Sequence, residues 1–142
     1  MLLSHEPLSP DDARRLSPLS LACVGDAVWS SLVRTHLLLR NKNVHHIHTG
    51  AVLFVSAKAQ AACLRAIQDA LTADELALVH RGRNAHSRHP VPKNPDPEDY
   101  AAATGFETLV GYLYITGMDE RIRRLFDIIV RMPEYQEYQS EG

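Results

Sequence analysis

The chain has 142 residues, 45% of them hydrophobic, with 15 Lys/Arg against 17 Asp/Glu. That is enough for one domain with its own core, and the ordinary composition excludes a disordered, fibrous or disulfide-built protein. The formal net charge of −2 excludes an overall polycation, but it hides an asymmetry.

Between Arg34 and Lys93 there are nine Lys/Arg and three Asp/Glu, a local balance of +6, so the remainder carries −8. Arg outnumbers Lys twelve to three, and the planar guanidinium fork suits phosphate. A basic middle in a mildly acidic chain fits a local nucleic-acid face; a solvated basic helix face fits the charge equally well. Cys23 and Cys63 match no zinc or redox spacing. Both fall on apolar helical stripes and are expected to be buried free thiols in a reducing cytoplasm. The first residues, Met1 to Glu6, lack the basic-then-apolar order of a signal peptide, and no apolar run approaches membrane-spanning length. A cytoplasmic protein with no membrane partner is expected.

The elements follow in chain order. Ser9-Pro10-Asp11-Asp12 opens one short helical turn. Ser17 as cap and Pro18 in the first turn start a helix running to about Arg40, with Leu21, Val24, Val28 and Leu32 at helical spacing. Asn41-Lys42-Asn43 is a polar break. One long helix is then expected from around His45 to Leu71, with Val52, Val55, Ala59, Ala62, Cys63 and Ile67 as its stripe. Thr72-Ala73-Asp74-Glu75 is a capping box for the next helix, which runs into Arg81-Gly82-Arg83-Asn84-Ala85. A loop with four prolines spans His89 to Pro97. Asp96 caps the following helix, Pro97 suits its first position, and Gly117 ends it; Phe106, Leu109, Val110 and Leu113 form its apolar stripe. A last amphipathic helix runs from Met118 to about Arg131 and stops at Pro133, leaving a polar, frayed tail. With no alternating strand pattern, the fold class is all-α.

Two acids stand out. Asp26 and Glu107 lie in the two most apolar helices, each near a glycine, Gly25 and Gly111. A mid-helix glycine costs about 1 kcal/mol relative to alanine, a cost most simply explained by a second backbone packed against it. If the helices cross at these glycines, both acids point into one cleft. Two carboxylates with waters and substrate phosphates make a plausible Mg²⁺ site. The competing structural role is a buried ion pair of Asp26 with Arg34 or another arginine. Arg81, Arg83 and Asn84 at a helix end, with Lys93 and Asn94 in the proline-rich loop, could grip RNA phosphate; basic capping of the helix end is the alternative. His45-His46-Ile47-His48 fits no standard zinc spacing, and His48 is expected to pack or hydrogen-bond. Trp29 is expected in the core or at a dimer contact.

Leu21-Ala22-Cys23-Val24-Gly25-Asp26-Ala27-Val28 resembles the signature helix of ribonuclease III catalytic domains. Phe106-Glu107-Thr108-Leu109-Val110-Gly111-Tyr112-Leu113-Tyr114 resembles the second acidic helix of that family. Ile47-His48, Val55-Ser56-Ala57-Lys58, Gln60-Ala61, Arg81 to Ala85, Pro92-Lys93-Asn94 and Tyr100 fall in matching order, so from residue 17 to residue 130 the chain resembles the short Mini-ribonuclease III branch, which has no double-stranded-RNA-binding domain. The resemblance implies a ribonuclease III-like helical bundle over residues 17–131, after an extension at 1–16 and before a polar tail at 132–142. It implies a Mg²⁺-dependent endoribonuclease, a phosphodiester hydrolase cutting double-stranded precursor ribosomal RNA of the large (23S) subunit. Asp26 and Glu107 would be its catalytic, metal-associated acids. It also implies a homodimer paired through the signature helix, working with a ribosomal protein or the assembling ribosome. Full-length ribonuclease III carries further acids where this chain has Leu19, Ala22 and Thr104. The thinner set implies that metal binding leans more on water and RNA phosphate. Two rival functions are a non-catalytic RNA-binding or ribosome-associated protein on the same fold and a helical metal-dependent nucleotide phosphohydrolase.

Overall fold

The computed structural model describes residues 5–40, 43–86 and 96–140. Every element among them is helical: α1 (Pro10–Arg14), α2 (Pro18–Leu39), α3 (Val44–Val55), α4 (Ala57–Ile67) with a 3₁₀ turn at Gln68–Ala70, α5 (Ala73–His86), α6 (Pro97–Ile115), α7 (Asp119–Val130) and α8 (Pro133–Ser140). No single helix among the described residues is long and apolar enough to cross a membrane.

Helix α6 is the axis, with α2, α4 and α5 packed around it. Its start follows the local signals: the Asp96 carboxylate accepts from the Glu98 and Asp99 amides, and Pro97 occupies the first turn. Its end is a left-handed Gly117 (φ 73°), with the Met118 amide reaching back to the Leu113 carbonyl at 2.8 Å. From Ala101 to Leu113 every residue is buried except Glu107, which is half-buried. A helix buried on all sides cannot leave a carboxylate there without solvent or polar partners.

Small residues let the helices meet. A methyl group on Gly25 would fall on the Glu107 carbonyl oxygen, and one on Gly111 on the Leu21 carbonyl oxygen. These two glycines therefore put the α2 and α6 backbones in contact. Gly82 and Gly105 do the same for α5 and α6: a methyl on Gly82 would lie 2.9 Å from the Gly105 Cα. Thr108, fully buried, donates its hydroxyl to Thr104 O at 2.7 Å and to Pro18 O at 3.2 Å, tying α6 to the start of α2. Trp29 is 1% exposed, packs edge-on to Phe106 and Phe126, and donates to the Phe54 carbonyl at 2.9 Å. It is a core residue and presents no surface to a second copy.

Several expectations need correction. The helix expected from His45 to Leu71 is two helices bent by 67°. Ser56 takes an extended conformation (ψ 158°) and its hydroxyl caps α4 through the Ala59 amide. The bend moves the buried face of α4 to Gln60, Ala61, Cys63, Leu64 and Ile67, while Val52 is 59% exposed. The tail is helix α8: Pro133 stops α7 and also occupies the first turn of the next helix, and the Tyr135 ring stacks on Phe54 at 3.7 Å. Cys63 is buried as expected, but Cys23 is exposed. His48 is exposed as well.

Candidate active site

The site is built where α2, α4 and α6 converge. Gly25 touches the Glu107 carbonyl, so Asp26, the next residue on α2, stands beside the Glu107 side chain. The two carboxyl groups are within hydrogen-bonding reach. From α4, the buried Gln60 donates its amide Nε2–H to Glu107 Oε2 at 3.3 Å. Burial, and then the hydrogen bond and negative charge of Asp26, push the Glu107 carboxyl up to about 8; the Gln60 amide pulls the other way. A carboxyl raised this far, by burial first and by the neighbouring acid second, holds its proton at neutral pH unless a cation takes the proton's place.

Asp26 is exposed, not buried, so the pair lies at the protein surface with Asp26 outermost and Glu107 deeper. Among the described residues, no lysine or arginine forms an ion pair with either acid. Arg34 instead directs Nη1 to the Ser30 carbonyl at 3.5 Å. The expected convergence at the glycines holds, and the ion pair with Arg34 does not form. No group of three or more His, Cys, Asp or Glu side chains able to hold a metal occurs among the described residues. The donors present are two oxygen-bearing acids, a set suited to a hard divalent cation that keeps most of its waters. Of the three positions where the resemblance implies further acids in full-length ribonuclease III, Leu19 is half-buried and the other two are packing positions. Ala22 and Thr104 are each 6% exposed, and Thr104 bonds back to the Tyr100 carbonyl at 3.0 Å.

The arginines sit on the last turns of α5. Arg81 is exposed, with Nη2 3.4 Å from the Leu16 carbonyl. Arg83 pairs with Glu98 at 3.1 Å, at the start of α6. Between them Gly82 packs into α6, which gives the Arg-Gly-Arg spacing a structural purpose as well. Asn84 is exposed on the same turn. Lys93 and Asn94 lie outside the described residues.

A family model for the ribonuclease III domain matches residues 19–118, spanning α2 to the end of α6 and so both acids. Over 139 residues the chain is 37% identical to Mini-ribonuclease 3 of Clostridium tetani, covering 96% of this chain and 91% of that protein. It is 50% identical over 108 residues to Mini-ribonuclease 3 of Symbiobacterium thermophilum, covering 75% and 82%. The chain belongs to the Mini-ribonuclease III family. Its fold is similar to that in a crystal structure of a Fusobacterium nucleatum protein, with a TM-score of 0.76 at 26% identity over 84% of this chain and 96% of that one. Membership makes it a ribonuclease III-type endoribonuclease.

Within this Mini-ribonuclease III frame, sequence reasoning passed over two features. Gln60 was visible only as part of a motif; its signal was a polar residue in register with the buried face of α4. The pair of Arg121 with Glu75, at 2.7 Å and 2.8 Å, joins the α5 capping box to α7. Nothing local announces it, because the partners are 46 residues apart.

Proposed function

We propose that this chain is a Mg²⁺-dependent endoribonuclease that cuts double-stranded RNA and matures the ends of the 23S ribosomal RNA precursor, acting as a homodimer. The observation that carries this reading is the meeting of Asp26 and Glu107 across the Gly25–Gly111 contact. Asp26 and Glu107 would hold Mg²⁺, which when bound supplies a Lewis acid for the phosphodiester and an acidified water. The protein's share is positional. Glu107 sets the depth of the site, and Asp26, at the rim, meets the incoming phosphate side. Gly25 lets the α2 backbone reach Glu107, and among the described residues no lysine or arginine pairs with either acid, so none competes there with a metal.

A duplex backbone needs a wider grip than two acids. Arg81, Arg83 and Asn84 on α5 support RNA binding, with Lys93 and Asn94 as further contacts. For Arg83 a phosphate must displace Glu98, a surface ion pair worth only about 0–1 kcal/mol. Two strands of opposite polarity need two sites in opposite orientation, which a two-fold dimer provides. A ribosomal protein or the assembling ribosome would present the substrate, in the cytoplasm.

The test is cleavage of a long RNA duplex and of precursor 23S RNA, with and without Mg²⁺, by wild type, Asp26→Asn and Glu107→Gln. Both variants should lose at least about a thousandfold in rate and still fold and bind duplex, since each removes a carboxylate that would hold the metal. Near-normal cleavage by either purified variant would defeat the assignment. Cuts away from the ends of mature 23S RNA would defeat only the choice of substrate.

A further inference from the structure

The two-acid site leaves Glu107 with few restraints of its own. Its helix fixes the Cα, but a glutamate side chain has three rotatable bonds, and among the described residues no third acid joins the pair to hold a metal. One contact from outside α2 and α6 does bear on it. Gln60 is 2% exposed, on the buried face of α4, and its amide donates to Glu107 Oε2 at 3.3 Å. A buried amide among Ala61, Cys63, Leu64 and Ile67 costs free energy unless its hydrogen bonds are made. An apolar residue would fill this place at lower cost.

We propose that Gln60 is a positioning residue for the nuclease site. Its amide clamps Oε2 of Glu107 from the α4 side, leaving the other oxygen free to hold, with Asp26, the metal that the two acids would bind. The inference rests on the reading of Glu107 as a metal ligand. The ends of α4 fit the role: Ser56 caps it and Ile67, 1% exposed, locks into the core, so the amide is presented from a fixed helix. Hydrogen bonds that orient a metal-binding side chain typically carry 10–100-fold of metal affinity or activity when removed.

The experiment uses the full chain with Gln60→Met, which keeps the length and removes the donor, and Gln60→Asn, which keeps the amide but withdraws it from Glu107. Three readings are taken on each: Mn²⁺ affinity of the free protein by electron paramagnetic resonance, kcat and KM on duplex RNA, and thermal unfolding. Both variants should bind Mn²⁺ about tenfold more weakly and lose about 10–100-fold in kcat, with KM for RNA unchanged. Wild-type Mn²⁺ affinity and kcat in either folded variant would overturn the proposal, even if the melting temperature falls, because that is the signature of a packing role alone. If Gln60→Met does not fold, Gln60→Asn decides by the same readings. Glu107→Gln separates the two failures. If it still cleaves and binds Mn²⁺ normally, the reading of Glu107 falls and the clamp falls with it. If it is inactive while the Gln60 variants are normal, only the clamp falls.

Discussion

Single residues here carry charge that the helices alone would not tolerate. Glu75 is 5% exposed, its carboxylate accepts from the Thr72 amide at 2.8 Å, and Arg121 binds it through two nitrogens. Burial alone would raise this carboxyl; the hydrogen bonds and charge of Arg121, with the Thr72 amide, outweigh it and hold the group below its ordinary value. The sign of the linkage follows. The folded protein binds the Glu75 proton less readily than the unfolded chain does, so the pair stabilises fully above the ordinary carboxylate range. That stability is lost as pH falls through the lowered folded value. Glu75→Gln should cost about 2 kcal/mol at neutral pH, in line with charged hydrogen bonds. Urea midpoints followed from pH 7 to pH 3 should converge for variant and wild type at the acid end. A constant gap across that range would show that the pair contributes by packing rather than by charge.

At the scale of elements, the crossing of α2 and α6 is the feature on which the site depends. Gly25→Ala would gain about 1 kcal/mol of helix propensity. The added methyl, however, meets the Glu107 carbonyl, a backbone atom that no side-chain rotation can move aside. Overpacking of this kind costs roughly 1–3 kcal/mol or more, so destabilisation wins. The same displacement would separate Asp26 from Glu107. Gly25→Ala should therefore lower the urea midpoint and lose most cleavage even at temperatures where it is folded. A variant as stable and active as wild type would show that the helices can part without loss. The bend at Ser56 has a comparable effect on the other side of the site, because it turns Gln60 rather than Ala59 toward α6.

For the whole molecule, assembly is the open property with the clearest surface. The outward face of α2 carries Ser20, Cys23, Ala27 and Ser31, all exposed, beside Asp26. Near the α2–α3 connection Leu38, Leu39 and Val44 are 59%, 75% and 82% exposed. Small side chains let a second helix approach closely, and the exposed aliphatics supply apolar area to bury. Trp29 takes no part, being sealed in the core. A Ser31→Arg variant adds bulk and charge on that face without touching the interior. Light scattering across dilution should show a dimer for wild type and a monomer for the variant, and strand-resolved mapping should show paired cuts only for wild type. A wild-type monomer that cuts both strands at full rate would refute the dimer. A dimer that survives Ser31→Arg would move the interface elsewhere.

Much of this protein was legible in the chain itself. Local chemistry determined the start of α5 and both ends of α6, because the Thr72 and Asp96 caps, Pro97 and Gly117 act within one turn of the residues they satisfy; α2 starts at Pro18 as expected, but Ser17 makes no side-chain capping hydrogen bond there. A mid-helix glycine beside an acid in each of two apolar helices marked Asp26 and Glu107 as candidates, since such a glycine is costly unless another backbone packs against it; the resemblance, not the spacing, set a metal role above an ion pair. What only the tertiary structure decided was orientation. Apolar spacing could not show that α3 and α4 part at Ser56, because a bent pair and a straight helix share one hydrophobic period until a neighbour selects the face. Nor could it show that Asp26 is exposed while Glu107 is half-buried, that Arg83 reaches Glu98, or that Gln60 reaches Glu107. These contacts join residues distant in sequence, and their partners were selected by which backbones the glycines of α2, α5 and α6 allowed to touch.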